Sequence, residues 1–416
     1  EAIEAPIAIR SSSLLEDSQY QPFAGIYSTY MIPYVNDKYV MVRLLSDAVK
    51  AVYASVFYKD SKAYMSATQN LIDQEKMAIV LQEVVGSKYD NLYYPAISGV
   101  ARSINYYPIG NEKSEDGIVN MAFGLGKYIV DGNTGLRFSP LHTSNILQLS
   151  SLDLALKDTQ TQFYALDLDS VSKDFTVDDS FNLVKSRLKM ADNTSPLRYV
   201  ASTYDPQDQI IRDGYYEGGR KIISFANILQ HDTLPLAETF VKLLKAGQKE
   251  MGRPVEIEFA VDIQDQNNAT FYVLQIRPIV DSREVMHEDL EEVEMDSTIL
   301  FSRNALGNGI SDDVFDVVYV KSDSFNASKN PLTAREIEAL NAKFIQSGTN
   351  YVLVGPGRWG SSDPWLGIPI KWPHISQARV IVESSIENYR IEPSQGTHFF
   401  QNFTSFGVGY FTINPF

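Results

Sequence analysis

"PVEIEFAVDIQDQNNATFYVLQIRPIV", residues 254–280, alternates apolar and polar residues on both sides of a polar centre, which is the pattern of a β-hairpin. Glu256 and Glu258 are next-but-one neighbours, so they point to one face of their strand. Gln275 and Arg277 do the same on the return. A turn centred on Gln266-Asn267 sets Glu258 opposite Gln275 and Glu256 opposite Arg277, with all of these side chains on one face. Two carboxylates and an amide oxygen are hard oxygen ligands of the kind Mg²⁺ takes, and arginine offers a fork matched to phosphate. The same residues also read as a solvated hairpin face carrying a cross-strand Glu–Arg pair. Spacing alone leaves both readings open.

The hairpin is preceded by "TLPLAETFVKLLKAGQKEMG", a helix with Leu236, Phe240, Leu243 and Leu244 on one face and Gly252 as its stop. It is followed by "DSREVMHEDLEEVEMD", residues 281–296, with eight acids against one arginine. That charge run marks a boundary: a first domain over 1–281, an acidic linker over 282–297 and a separate mixed domain over 298–416. The last part holds all three tryptophans, in "GPGRWGSSDPWLGIPIKW". Arg358 and the surrounding glycine amides could meet an anion there, or simply shape turns and core.

At the other end, "PIAIRSSSLLEDSQYQPFAGIYSTY", residues 6–30, opens as a short buried strand, Ile7 and Ile9 alternating with Ala8 and Arg10. The strand then delivers Arg10 into Ser11, Ser12 and Ser13. Those hydroxyls could hold a phosphate or cap a helix beginning near Leu14. Residues 37–58 carry Val42, Leu45, Ala48, Val49 and Val52 at helical spacing, and "MAIVLQEVV", 77–85, is rich in strand formers. "FGLGKYIVDGNTG", 123–135, has four glycines and reads as loops around a short strand. Residues 144–197 are polar and give no clear pattern.

Composition narrows the classes. The chain has 416 residues, 44% of them hydrophobic and 21% charged, as in a globular protein with a sizeable core. A net charge of −16 argues against a broad nucleic-acid surface, which needs a basic footprint, but not against a nucleotide held in a local nest of donors. No apolar run approaches the roughly 18 residues of a membrane-spanning helix. The absence of cysteine excludes disulfides, thiol catalysis and cysteine metal sites and fits a cytoplasmic enzyme. Histidines at 142, 231, 287, 374 and 398 show no metal-ligand spacing.

Taken in order, "AIRSSSLLEDSQYQPFAGIYSTY", "MAIVLQEVV" with "AISGVARS", "FGLGKYIVDG" and "VEIEFAVD…FYVLQIRPI" resemble the ATP-binding domain of the phosphoenolpyruvate synthase, pyruvate phosphate dikinase and rifampin phosphotransferase family, over about residues 5–280. The resemblance implies an α+β chain: an ATP-grasp-like fold, lacking part of its N-terminal subdomain, followed by a smaller mixed α/β domain. It implies ATP and Mg²⁺ as cofactors. By motif position Arg10 and Arg277 meet phosphate, Gly25 and Thr29 sit on the small-residue nucleotide loop, and Gln82 contacts the nucleotide. Glu258 and Gln275 hold the metal, with Glu256 as the second acidic position.

Two departures stand out. The family's nucleotide-binding lysine lies in a Gly-Gly-Lys segment well upstream of the Arg-Ser-Ser motif, and only nine residues precede Arg10 here. The chain is therefore expected to be a fragment of a longer protein, or a member without that lysine. The family's Thr-Ser-His phosphoacceptor is also missing; its nearest imitation is "PSQGTHFF", with His398. The function expected is a dikinase-like phosphotransferase module passing phosphate from Mg·ATP to a histidine, on this chain or on a partner domain, toward pyruvate and phosphoenolpyruvate chemistry. The alternative is a non-catalytic nucleotide-binding or scaffolding module.

Overall fold

A computed structural model describes residues 4–14, 16, 25–67, 75–172, 174–192, 194–265, 268–279, 298–302, 305–307, 310–386, 389–394, 398–400, 402 and 408–413. The acidic linker and the hairpin turn at Gln266-Asn267 lie outside them. The chain mixes helix and sheet throughout, and among the described residues no helix is long and apolar enough to cross a membrane.

The hairpin strands, Val255–Asp265 and Asn268–Pro278, form one side of a five-stranded antiparallel sheet continued by Ile97–Arg102, Ile118–Ala122 and Leu136–Phe138. Val255, Ile257, Phe259, Val261 and Ile263 face the helix Leu236–Met251, where Phe240 meets Phe259 at 4.6 Å between ring centres. Gly247 lets helix and sheet close together, since a Cβ there would come within 2.8 Å of Ile276. Gly252 ends the helix in the left-handed conformation, as expected.

A smaller sheet places Ile7–Ser13 between Tyr30–Ile32 and Met77–Glu83. Ile7 and Ile9 pack under the helix Lys38–Ser55, against Leu44, Ala48 and Val52. Asp37 caps that helix by accepting from the Tyr39 and Val40 amides. Val42, grouped by spacing with the apolar face, is 65% exposed because the buried stripe runs through Leu44 and Ala51 instead. With the odd residues of the first strand committed to the helix, Ala8 and Arg10 face the other way, toward the hairpin.

In the C-terminal region four parallel strands, Val314–Tyr319, Asn350–Pro356, Ala378–Ser384 and Gly409–Ile413, make a second sheet, with Ala305–Leu306 added antiparallel. The helix Asn330–Ser347 supplies the crossover between the first two. This core includes Tyr351, Trp359, Phe400 and Tyr410, and takes in Tyr107 from the first half of the chain. Arg358 is spent on packing the halves together: it donates to Glu392 O at 2.7 Å and Gly132 O at 3.1 Å.

Candidate functional site

The two sheets meet at Arg10. Its Nη2 donates to Gln275 Oε1 at 2.6 Å and to Glu258 Oε2 at 2.9 Å, while Nη1 donates to Gln82 Oε1 at 3.3 Å. The geometry follows from register. Gln82 pairs with Ala8, so it shares a face with Arg10 on the neighbouring strand, and Glu258 pairs with Gln275 across the hairpin. Just past that pair the ladder slips, Phe259 facing Val273, so Leu274 is the extra residue of a bulge. Its carbonyl accepts from Gln82 Nε2 at 3.4 Å.

Arg277 lies beside this cluster, donating to Gln275 Oε1 at 2.7 Å and standing 3.9 Å from Glu16. Its Nε and Nη1 are buried and have no hydrogen-bond partner among the described residues. A buried guanidinium with spare donors is costly unless an anion meets it. The serine run acts one step behind: Ser11 Oγ donates to Glu16 at 2.7 Å and Ser13 Oγ accepts from the Glu16 amide at 2.9 Å, so these hydroxyls position the carboxylate near Arg277.

The cluster forms one end of a cavity of about 230 Å³, lined also by Gly25, Thr29, Ser98, Lys127, Asp131 and His398. Arg10, Gly25, Thr29, Gln82 and Glu258 all line it, and Gln275 and Arg277 adjoin through Arg10 and one another. Glu256 is elsewhere: its carboxylate takes the Arg102 Nε at 2.5 Å, and both groups are buried. The even-numbered side of the hairpin strand is therefore interior, with Ala260 and Asp262 also buried, and not a solvated face.

The family model of the pyruvate phosphate dikinase AMP/ATP-binding domain matches residues 1–298. The chain belongs to that family. It is 31% identical over 127 residues to YvkC, an uncharacterized phosphotransferase of Bacillus subtilis, covering 30% of this chain and 13% of that protein. It is 24% identical over 280 residues to phosphoenolpyruvate synthase of Aeropyrum pernix, covering 66% of this chain and 29% of that protein. The chain thus spans less than a third of the length of either relative.

In this AMP/ATP-binding domain the charges at the site are strongly coupled. Burial pushes the Glu258 carboxyl up, but Arg10 and Arg277 outweigh it and hold it below the usual carboxylate range. Burial lowers the His398 pKa to about 4; Glu258 opposes this, while Arg277, Lys127 and Arg10 add to it. Sequence reasoning missed Lys127, which follows Gly126 in the glycine-rich run and stands 3.4 Å from Asp131 and 3.9 Å from Asp179. A cation directly after Gly-Leu-Gly was the available signal. It also missed Glu16, inside the quoted opening stretch.

Proposed function

We propose that this chain is the nucleotide-binding module of a dikinase-like phosphotransferase, an ATP-grasp-type unit over residues 1–281 that holds Mg·ATP, with residues 298–416 as a second domain closing on it. The observation that carries this reading is the convergence on Arg10. Glu258 Oε2 and Gln275 Oε1 both lie within hydrogen-bond distance of one cationic atom, Arg10 Nη2, beside an arginine with unspent donors. Such a pair of hard oxygens seeks a cation.

The donor set fits Mg²⁺ in the mode that uses one or two carboxylates and leaves the remaining positions to water and substrate phosphates. Among the described residues no group of three acidic, histidine or cysteine side chains could hold a metal, so the protein would supply Glu258 and Gln275 only. Bound there, Mg²⁺ would neutralise charge on the phosphate oxygens. Arg10, once drawn off the hairpin by phosphate, and Arg277, with Nε and Nη1 free to donate, hold the polyphosphate. Gln82, Gly25 and Thr29 contact the rest of the nucleotide. Glu256 acts from behind by fixing Arg102. The phosphoryl group passes to a histidine; the names of the relatives, a phosphotransferase and a phosphoenolpyruvate synthase, favour that chemistry and extend it toward pyruvate.

Calorimetric titration of the chain with Mg·ATP tests the reading. Saturable binding that Arg277→Met weakens at least tenfold is expected. A folded chain that takes up no nucleotide would overturn it.

A further inference from the structure

His398 comes from the far end of the chain yet stands in the wall of the same cavity. Its position is fixed through Phe400, which is buried against Tyr410 at 5.2 Å and Tyr106 at 5.6 Å and lies under the Arg102 guanidinium at 5.3 Å. Arg102 in turn holds Glu256, two residues before Glu258 on the hairpin strand. The C-terminal region is thereby locked in register with the strand that carries the site.

The loop opposite makes room for the imidazole. Gly25 has φ of +70°, and a Cβ built on it would lie 2.1 Å from His398 Nδ1. Only glycine admits the ring there. The other ring nitrogen, Nε2, is buried and has no hydrogen-bond partner among the described residues. A histidine kept for packing alone would normally satisfy that atom. Here it is left bare amid Arg10, Arg277, Lys127 and Glu258, the charged groups that act on the ring.

We propose that His398 is a phosphoacceptor in cis: its Nε2 takes a phosphoryl group from the nucleotide held by Arg10, Glu258, Gln275 and Arg277. The inference rests on the nucleotide reading above and names the acceptor that reading leaves open. The neutral ring keeps a lone pair on Nε2, which no group among the described residues engages. That pair forms the P–N bond as the bond from phosphorus to the bridging oxygen breaks. The bridging oxygen keeps its electrons and leaves with the remainder of the nucleotide. The phosphorylated ring then gives up its Nδ1 proton to water. Arg10, Arg277 and Lys127 surround the new phosphoryl oxygens with positive charge, as transfer of this kind requires.

The test incubates the 416-residue chain with Mg²⁺ and ATP carrying ³²P at either the β or the γ position. Label is then assayed for stability to alkali and lability to acid, and mapped by peptide mass spectrometry. The expected result is alkali-stable, acid-labile label on the peptide containing His398. It should be lost from His398→Gln, whose fold is checked by circular dichroism and thermal melting. Mapping on the wild-type chain decides the matter even if the variant is unstable. Nucleotide binding, measured in parallel by calorimetry, keeps the two readings apart. Binding with no label on His398, or label that survives His398→Gln, overturns the acceptor and leaves the nucleotide site standing. No binding removes both.

Discussion

Glu258→Gln keeps the size of the side chain and removes the charge at the atom on which the site turns. In the present structure Glu258 and Arg10 form a pair whose side chains are 17% and 20% exposed. Breaking a fully buried pair from one side costs about 3–5 kcal/mol, and a hydrogen bond to a charged group about 1.5–3 kcal/mol. Arg10 keeps Gln275 and Gln82 as partners, and partial exposure screens the lost charge, so the folding cost should be nearer 1–2 kcal/mol, or roughly 2–4 °C in melting midpoint. The effect on ligand is larger and more specific. Loss of one charged oxygen ligand should weaken Mg·ATP binding by about 10- to 150-fold. Without Mg²⁺ the same substitution should leave ATP binding unchanged or improve it, because a carboxylate that repels phosphate is gone and Arg10 is released. The assay is paired calorimetric titration of wild type and variant with ATP, in excess Mg²⁺ and in chelator. An equal loss in both buffers, or none in either, would refute Glu258 as the metal's carboxylate.

Gly25→Ala puts a side chain at φ +70° and 2.1 Å from His398; the left-handed conformation alone costs about 1–2 kcal/mol. Adding His398→Ala should restore part of the loss in a thermal melt, and strict additivity would count against the contact. Acidification should destabilise the chain through His398: the unfolded ring gains its proton near pH 6.5, the folded one only near 4. Stability is therefore lost as pH falls from 6.5 to 4, by at most about 3 kcal/mol at 1.36 kcal/mol per pH unit, and Glu258, held below 4.5, adds loss only below that. Melting midpoints should fall less steeply across this window in His398→Gln, and parallel curves would contradict the assignment. Arg102→Met removes the buried cation paired with Glu256 and should cost about 3–5 kcal/mol in denaturant unfolding, whereas Arg102→Met with Glu256→Met should recover most of it.

What the sequence made legible was local. Period-two alternation around a polar centre set the hairpin register, and Glu256 does pair with Arg277 and Glu258 with Gln275 along the backbone. The choice of side-chain partner was not legible. Glu256 turns from Arg277 to Arg102, which sits opposite it on the other neighbouring strand and is remote in sequence. Arg10 likewise finds Glu258 only through the meeting of two sheets. The glycine-rich run 123–135, which reads as loops around a short strand, instead holds a single helical turn, Lys127–Val130, between Gly126 and Gly132. The polar stretch 144–197 conceals Gln162–Asp167, whose Phe163, Ala165 and Leu166 are fully buried, because the surrounding acids and serines mask its short apolar core.

The charge balance of the pocket ties these points together. An acidic chain can hold a polyphosphate only where the local field opposes the global one. Arg10 and Lys127 line the cavity with Arg277 alongside, but Glu83, Asp131, Asp179 and Glu258 line it too. Burial pushes the Asp131 carboxyl up against the pull of Lys127. Three cations against four carboxylates give a free polyphosphate little net attraction, and in this structure Arg10 spends its Nη2 on Glu258 and Gln275. A divalent ion held as proposed would reverse that sum twice over: it would add positive charge, and by occupying the Glu258–Gln275 oxygens it would release Arg10 to the phosphates. On the proposed reading, then, the site takes its nucleotide with the metal and binds the bare nucleotide poorly. That is why the chelator arm of the Glu258→Gln titration, and not the Mg²⁺ arm alone, decides whether the hairpin is a metal site or only an ion pair.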